Sequence, residues 1–545
     1  MTGPVLHLTK CTMDDLNLEH LLGRGYFPKE LPPCFCAEQF AQFVASNDSF
    51  REKILNLSGE REALTYGLTL PGPRVRDLAI IHPVSQARLA DEILEAKDEI
   101  RSRIDTVDLS LSKPSTANQR AVKPELSGAQ ITQRRLGAQR NARYYLKCDV
   151  AACYHAIYTH SIPWALHGKE EGKENRHDNG LAGNRLDGAL RSGMHGQTTG
   201  IPVGPDTSLV LAELVLSAVD REFRERFGEV DGFRFMDDYF LVFEERSNAE
   251  KALNDLTSAL RRYELRLNAK KTELGRVPAS IETTWVTKLR RTSLRGGADA
   301  QRELENYFSL AIELKNTFPN ELVFRYALGR LHRDFSGWRN VDWKPLQNFL
   351  GMVIRSELGS LPTALQLVKK LRRVEDEFEN SPRVLRASST GQTVDTDLLR
   401  NILANHAIWA TKAGYEHEVL WCLWGLFHLE LEAPDEMTEA VREFDHPFVK
   451  LLLLWGREEG LTDSELNFDA AASPEEAFEG QNWLLNYEAL TRGWLADDEI
   501  SVNDHEVFGS LNDANVQFLD FNVPDQDESP ERDVDGDRPG EFASY

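Results

Sequence analysis

Two adjacent carboxylates, Asp237 and Asp238, sit inside an otherwise apolar and aromatic stretch, Arg234-Phe235-Met236-Asp237-Asp238-Tyr239-Phe240-Leu241-Val242-Phe243. Phe233, Phe235, Phe240 and Val242 favour a pleated backbone. The pattern predicts strand, tight turn, strand, with the two aspartates at the tip. Like charges at a buried strand end repel and lose hydration unless something positive stands between them. A divalent metal ion meets that need. The competing reading is a plain turn, because Asp is a common turn residue.

A third carboxylate tips the balance. Tyr144 to Val150 reads as a strand with Asp149 at its end, and Tyr154 follows five residues later. If the two strands are neighbours, the three carboxylates can hold two Mg²⁺, with Mn²⁺ as a substitute, because Mg²⁺ takes a few carboxylates plus phosphate oxygens and water. Such a pair activates a 3′-hydroxyl and stabilises a leaving pyrophosphate in an in-line displacement. Cations for a triphosphate are at hand. Arg74 and Arg76 share one face of a predicted strand running to Pro83, and Lys271 lies beyond the hairpin. Surface charge on an exposed strand is the plainer account of the two arginines. Gly200-Ile201-Pro202-Val203-Gly204-Pro205 precedes a long apolar helix, Leu209 to Phe227, and its glycines permit close backbone approach to a ligand. Thr207 or Ser208 is the expected N-cap of that helix.

The elements that must position these residues follow from the periodicity. Ala37–Val44, Val84–Ala96, Ile131–Arg143, Leu181–Ser192 and Ala249–Tyr263 read as helices. The polar stretch 165–198 around the fourth reads as a mobile connection, and Leu265–Thr272 as a return to strand. Beyond about residue 300 helical periodicity dominates, from Leu304–Lys315 to Pro447–Glu459, in pairs that suggest an α-solenoid. Trp409, Trp421, Trp424, Trp483 and Trp494 are expected in the core.

The 545 residues allow several domains, and 41% apolar with 28% charged residues is ordinary for a globular chain. No apolar run has membrane-spanning length and no secretory signal is visible, so a cytoplasmic location is expected. Cys11, Cys34, Cys36, Cys148, Cys153 and Cys422 lack zinc-site spacing and are expected as free thiols. The net charge of −24 argues against a nucleic-acid partner, but its distribution does not. Residues 101–147 carry ten Lys/Arg against three acids, a net of +7, whereas 520–545 carry nine acids against two arginines, a net of −7. That arrangement suits a polyanion binder kept soluble by an acidic, disordered tail.

The order of these parts resembles the reverse transcriptase superfamily. Asp149 to Tyr154 is similar to its motif A and Gly200 to Pro205 to motif B. Phe235-Met236-Asp237-Asp238 is similar to the aromatic-X-Asp-Asp box of motif C, and Leu267-Asn268-Ala269-Lys270-Lys271-Thr272 to motif D. Arg74 to Pro83 resembles the fingers strand that contacts the triphosphate. The resemblance spans roughly residues 20–290 and is nearest to the bacterial antiviral reverse transcriptases of the abortive-infection and unknown-group lineages. Gly25 to Pro33 is similar to their N-terminal segment, Val203 replaces the Gln usual in intron and retroviral enzymes, and a helical half follows the palm.

The resemblance implies an α+β fold: right-hand polymerase fingers and palm over 1–290, with an antiparallel palm sheet. An all-α, solenoid-like domain would follow over 291–515, and an acidic tail over 516–545. It implies Asp149, Asp237 and Asp238 as catalytic residues, and Asp149, Val150, Asp237 and Asp238 as the metal site. It implies Arg74, Arg76, Tyr154, Gly204 and Lys271 at the nucleotide, Tyr154 being the steric gate against ribonucleotides. It further implies dNTP substrates, a DNA or RNA partner (a noncoding RNA among the options), protein priming in some members, homo-oligomers and phage defence. Valine at 203 cannot hydrogen-bond as Gln does, which suggests relaxed template selection. An inactive nucleic-acid-binding scaffold and an RNA polymerase are the alternatives; the three intact carboxylates count against the first and the aromatic at 154 against the second.

Overall fold

The computed structural model describes residues 11–72, 74–116, 120–124, 126, 128–379, 393–463, 473–495 and 501–522. Its strands are β1 (Leu64–Leu70), β2 (Arg74–Ile80), β3 (Pro114–Thr116), β4 (Val122–Pro124), β5 (Tyr144–Asp149), β6 (Asp231–Phe235), β7 (Asp238–Phe243) and β8 (Glu273–Arg276). β1 pairs with β2 and β3 with β4. The remaining strands form one antiparallel sheet in the order β6-β7-β5-β8. Alternating aromatic and aliphatic residues build that sheet. Tyr145 faces Val242, Leu146 faces Leu241 and Phe233 faces Phe240 across the ladders. All six residues of β7 are buried, so both faces of the sheet are covered there. Helix Arg246–Arg262 packs on β5 and β7, and helix Gly128–Gln139 on β6 and β7.

Contacts divide the chain into two units, each discontinuous in sequence. The first comprises Met1–Thr65, Leu78–Ile281 and Ala471–Ser529, and contains the four-stranded sheet. In its core, Trp483, Tyr487, Phe508 and Phe518 pack together. Phe518 also meets Phe27 and Phe40. The second comprises Tyr66–Asp77, Glu282–Ala470 and Pro530–Tyr545, and its described residues are mostly helical. The helices expected beyond residue 300 are present, from Ala300–Thr317 to Pro447–Glu458. Helix Val323–Asp334 packs on Leu361–Glu379, and Glu416–His428 on both Thr396–Ala413 and Pro447–Glu458.

Several local expectations need correction. The polar stretch 165–198, read as a mobile connection around one helix, is largely helical: the expected helix is present as Ala182–Ser192, and Ser161–His167 and Lys169–Glu174 accompany it. These helices bury Ile162, Trp164, Leu166, Leu186 and Leu190, and polar side chains tie them together. His160 Nδ1 lies 2.7 Å from Asp187 Oδ2, and the Lys169 ammonium lies 4.3 Å from the centre of the Trp164 ring. Leu265–Thr272 is not a strand. Leu267 makes a single bridge to Val150. The Asn268 side chain then accepts from Lys270 N at 3.1 Å, which turns the chain before β8. The long helix begins at Asp206 with Pro205 as its N-cap, so Thr207 and Ser208 lie inside it, buried. Helices Asp48–Asn56 and Lys97–Ile104 were not anticipated. Trp409 is 42% exposed, stacked with His406 and Tyr415, rather than in the core. The acidic tail lies outside the described residues from 523 onward. Within the first residues of the span expected as tail, Val516, Phe518 and Leu519 are buried, and Phe35 and Leu519 form an antiparallel bridge.

Candidate active site

The site is built from the ends of two neighbouring strands. Asp149, the last residue of β5, is the direct cross-strand partner of Asp238, the first residue of β7. Phe235 pairs with Asp238, so Met236 and Asp237 form a two-residue hairpin turn. Such turns need positive φ, and Met236 adopts φ 54°. Val150 N donates to Asp237 O at 3.1 Å, which ties the turn to the end of β5. The three aspartates are only 5–6% exposed. One carboxylate oxygen from each lies within 4.8 Å of the others, and this is the only such acidic or metal-ligating group among the described residues.

The electrostatics of this group match a cation site. Burial, then the charges of Asp238 and Asp149, push the Asp237 carboxyl well above its ordinary range. Asp237 Oδ1 is buried without a hydrogen-bond donor. An orphaned, buried carboxylate oxygen among three convergent carboxylates fits a hard divalent ion. Both Asp149 oxygens are engaged, Oδ1 by Lys271 Nζ at 2.7 Å and Oδ2 by Asn268 Nδ2 at 3.1 Å. Burial alone would lower the Lys271 pKa. The hydrogen bond to Asp149 and the charges of all three aspartates outweigh it, so the net direction is upward.

Sequence reasoning placed several other residues near this group. Tyr154, on the short helix Cys153–Ala156, keeps part of its surface open, and its carbonyl accepts from Ile201 N at 2.8 Å. Its hydroxyl is nevertheless pushed well up, by burial and then by the charges of Cys153, Asp237, Glu213 and Asp206. Gly204 has φ 126°, and a Cβ there would lie 2.5 Å from Pro28 Cγ, so the neighbour that requires a glycine is the N-terminal segment. Arg120 Nη1 donates to Phe27 O at 2.8 Å and its Nη2 to Gly204 O at 3.1 Å, clamping segment and loop together. Arg74 and Arg76 lie on β2 in the portion that groups with the second unit.

The residues that sequence reasoning missed lie behind the turn. Arg234 is fully buried and paired with Glu213 and Asp220. Burial, acting first, would lower the Arg234 pKa and raise that of Glu213. The charges of Asp220 and then Glu213 reverse the first, and Arg234 reverses the second, whereas in Asp220 burial wins and the direction is up. The available signal was two acids, Glu213 and Asp220, seven residues apart and separated by an apolar run, with an Arg flanked by phenylalanines on the strand that follows.

Residues 95–312 match the protein-family model described as reverse transcriptase (RNA-dependent DNA polymerase). The chain therefore carries a reverse transcriptase domain, and its buried aspartate triad falls within the matched residues. No curated protein sequence matches the chain. Among solved structures, apo telomerase from Candida tropicalis truncated from its C-terminal domain is 13% identical, at TM-score 0.29, over 41% of this chain and 52% of that one. This chain thus spans about half of that structure's length. Apo telomerase from Candida tropicalis is 10% identical, at TM-score 0.32, over 63% and 74% of the two chains. Telomerase from Candida albicans in complex with a TWJ fragment of telomeric RNA is 13% identical, at TM-score 0.28, over 80% and 72%. No helix among the described residues is long and apolar enough to cross a membrane.

Proposed function

We propose that this protein joins dNTPs into DNA by two-metal phosphoryl transfer in antiphage defence. The observation that carries the chemistry is the convergence of buried Asp149, Asp237 and Asp238 within a domain matching reverse transcriptases. In this reading the three aspartates hold Mg²⁺ or Mn²⁺, with Val150 fixing the turn through its N–H. Bound there, the ions supply Lewis-acid activation of a hydroxyl and neutralise pyrophosphate. Lys271 hands its charge from Asp149 to the triphosphate, Arg74 and Arg76 add to that charge, and Tyr154 excludes the 2′-hydroxyl. The functional division follows 1–290, 291–515 and 516–545, with the helical part, solenoid-like in outline, binding a noncoding RNA or a second copy of the chain.

The defence role is supported by the sequence likeness of Gly25–Pro33, by Val203 and by the helical half. Valine at 203 also underlies the proposed relaxed template use, with protein priming as one route. Incorporation of labelled dNTPs by the full chain with Mg²⁺ or Mn²⁺ is the test. The expected result is a DNA product from the wild type and none from Asp237→Asn or Asp238→Asn, both folded. Equal incorporation by these variants would overturn the metal role. A preference for NTPs would instead favour an RNA polymerase, and binding without synthesis a scaffold. Loss of phage protection in Asp237→Asn cells tests the defence role.

A further inference from the structure

The turn that presents Asp237 is strained at Met236, and its geometry is imposed from behind. Non-glycine residues at positive φ cost about 1–3 kcal/mol and persist where their surroundings over-determine them. Both backbone polar groups of Met236 are held by buried side chains. Its N–H donates to Ser112 Oγ at 2.8 Å, and its carbonyl accepts from Arg234 Nη1 at 2.8 Å. Ser112 Oγ in turn donates to Glu213 Oε2 at 3.1 Å, so both holders belong to one network.

That network uses the whole guanidinium of Arg234. Nη1 and Nη2 bond the two Glu213 oxygens at 2.9 Å each. Nε and Nη2 reach Asp220 Oδ2 at 2.9 and 2.8 Å, and the second Nη1 proton goes to Met236. All five donors are thereby assigned. Tyr239 closes the far side with its hydroxyl on Asp220 Oδ1 at 2.7 Å. The backbone of Arg234 is pinned as well, its N–H on Leu109 O and its carbonyl on Leu111 N, both at 2.7 Å.

We propose that Arg234, with Ser112, is a positioning residue that holds the Asp237 carboxylate in its metal-binding place. It touches neither substrate nor metal. The proposal rests on the metal reading of the triad. Residues behind metal ligands commonly account for about 10–100-fold in metal affinity. Lysine cannot reproduce the planar fork, so Arg234→Lys strips donors from Met236 and Glu213. Ser112→Ala deletes only one hydroxyl and decides the matter should Arg234→Lys fail to fold.

Mn²⁺ binding to the full chain, measured by calorimetry, separates this from the functional reading. The expected result is that folded Ser112→Ala and folded Arg234→Lys bind Mn²⁺ about tenfold more weakly, Ser112→Ala still melting cooperatively though at a lower temperature because Met236 N–H loses its buried acceptor. Their turnover falls at an unchanged dNTP KM, and raised Mn²⁺ restores it. Wild-type Mn²⁺ affinity in folded Ser112→Ala overturns the proposal while leaving the triad reading intact. Absence of Mn²⁺ binding by the wild type, or equal binding by Asp237→Asn, overturns both.

Discussion

Lys271 Nζ donates to Asp149 Oδ1 at 2.7 Å, so an ammonium stands on one of the three carboxylates. A divalent ion held by the triad would compete with it for Asp149. Once displaced, Lys271, which is half-exposed, is available to a polyphosphate. Replacing it with methionine removes both the competitor and the charge. Lys271→Met is therefore expected to bind Mn²⁺ more tightly than the wild type yet incorporate dNTPs about 10²–10³-fold more slowly, the usual loss for a charge-stabilising donor. Calorimetry and single-turnover incorporation check the two halves separately.

Asp237 is held above the ordinary carboxylate value of 3.8, by burial first and then by Asp238 and Asp149. A raised folded pKa means that its contribution to stability is fully present below 3.8 and is lost as pH rises through the folded value. Asp237→Asn removes that loss. In metal-free buffer the variant is expected to melt above the wild type, by a margin that grows as pH rises from about 4. Mg²⁺ narrows the margin by stabilising only the wild type. Paired melts across pH, with and without Mg²⁺, check this.

The hairpin and the end of β5 were readable in the sequence because their signals are local. Alternating Phe233, Phe235, Phe240 and Val242 specify strands, and two residues specify the turn between them. That Asp149 and Asp238 are cross-strand partners is a long-range fact, supplied only by the order of motifs. The Arg234 network was not readable, because buried charge runs against the rule that polar residues face water. Lys271, which lies on Asp149, was placed on a strand, whereas Asn268 turns the chain there through its own side chain. Of the helices over 161–192, Ala182–Ser192 was readable from its apolar spacing, whereas Ser161–His167 and Lys169–Glu174 are short and were missed.

Tyr154 has its carbonyl bonded by Ile201 N, and the residue as a whole is partly exposed. As the gate against a 2′-hydroxyl it is expected to discriminate by steric bulk. Tyr154→Ala should raise the kcat/KM for ribonucleotides by about 10–100-fold, the range that pocket shape alone delivers against one hydroxyl. Deoxynucleotide use should change little. Competition between matched dNTP and NTP pairs measures the ratio.

Gly204 combines φ 126° with a would-be Cβ 2.5 Å from Pro28 Cγ. Gly204→Ala is expected to cost about 1–3 kcal/mol of stability through the backbone alone. The contact adds to that by pushing Pro28 from the loop. Pairing it with Pro28→Gly should recover the contact part and leave the backbone part. A double-mutant cycle by denaturant unfolding separates the two.

His82 offers the clearest acid-sensitive point in the first unit. It is fully buried, its Nε2 lies 2.8 Å from Phe478 O, and its Nδ1 accepts from Val84 N at 3.3 Å. Both nitrogens are satisfied by one neutral tautomer, donor at Nε2 and acceptor at Nδ1, so a second proton would break the cap at Val84. Burial pushes the imidazole from 6.5 down to about 3, with Arg61 and His505 opposing a proton there and Glu479 favouring one. A depressed folded pKa means stability that is present above pH 6.5 and lost as pH falls toward about 3. At pH 5 the loss is about 2 kcal/mol. Glu479 is also depressed, to about 2, because His505, His82 and Arg61 outweigh its burial, but its window opens only below 4.5. Between pH 6.5 and 4.5 the imidazole alone of the pair titrates. His82→Asn keeps a cap acceptor without a titrating group. It is expected to lose about 2 kcal/mol less than the wild type between pH 7 and pH 5 in denaturant unfolding, and an equal loss in both proteins would show that His82 is already charged when folded.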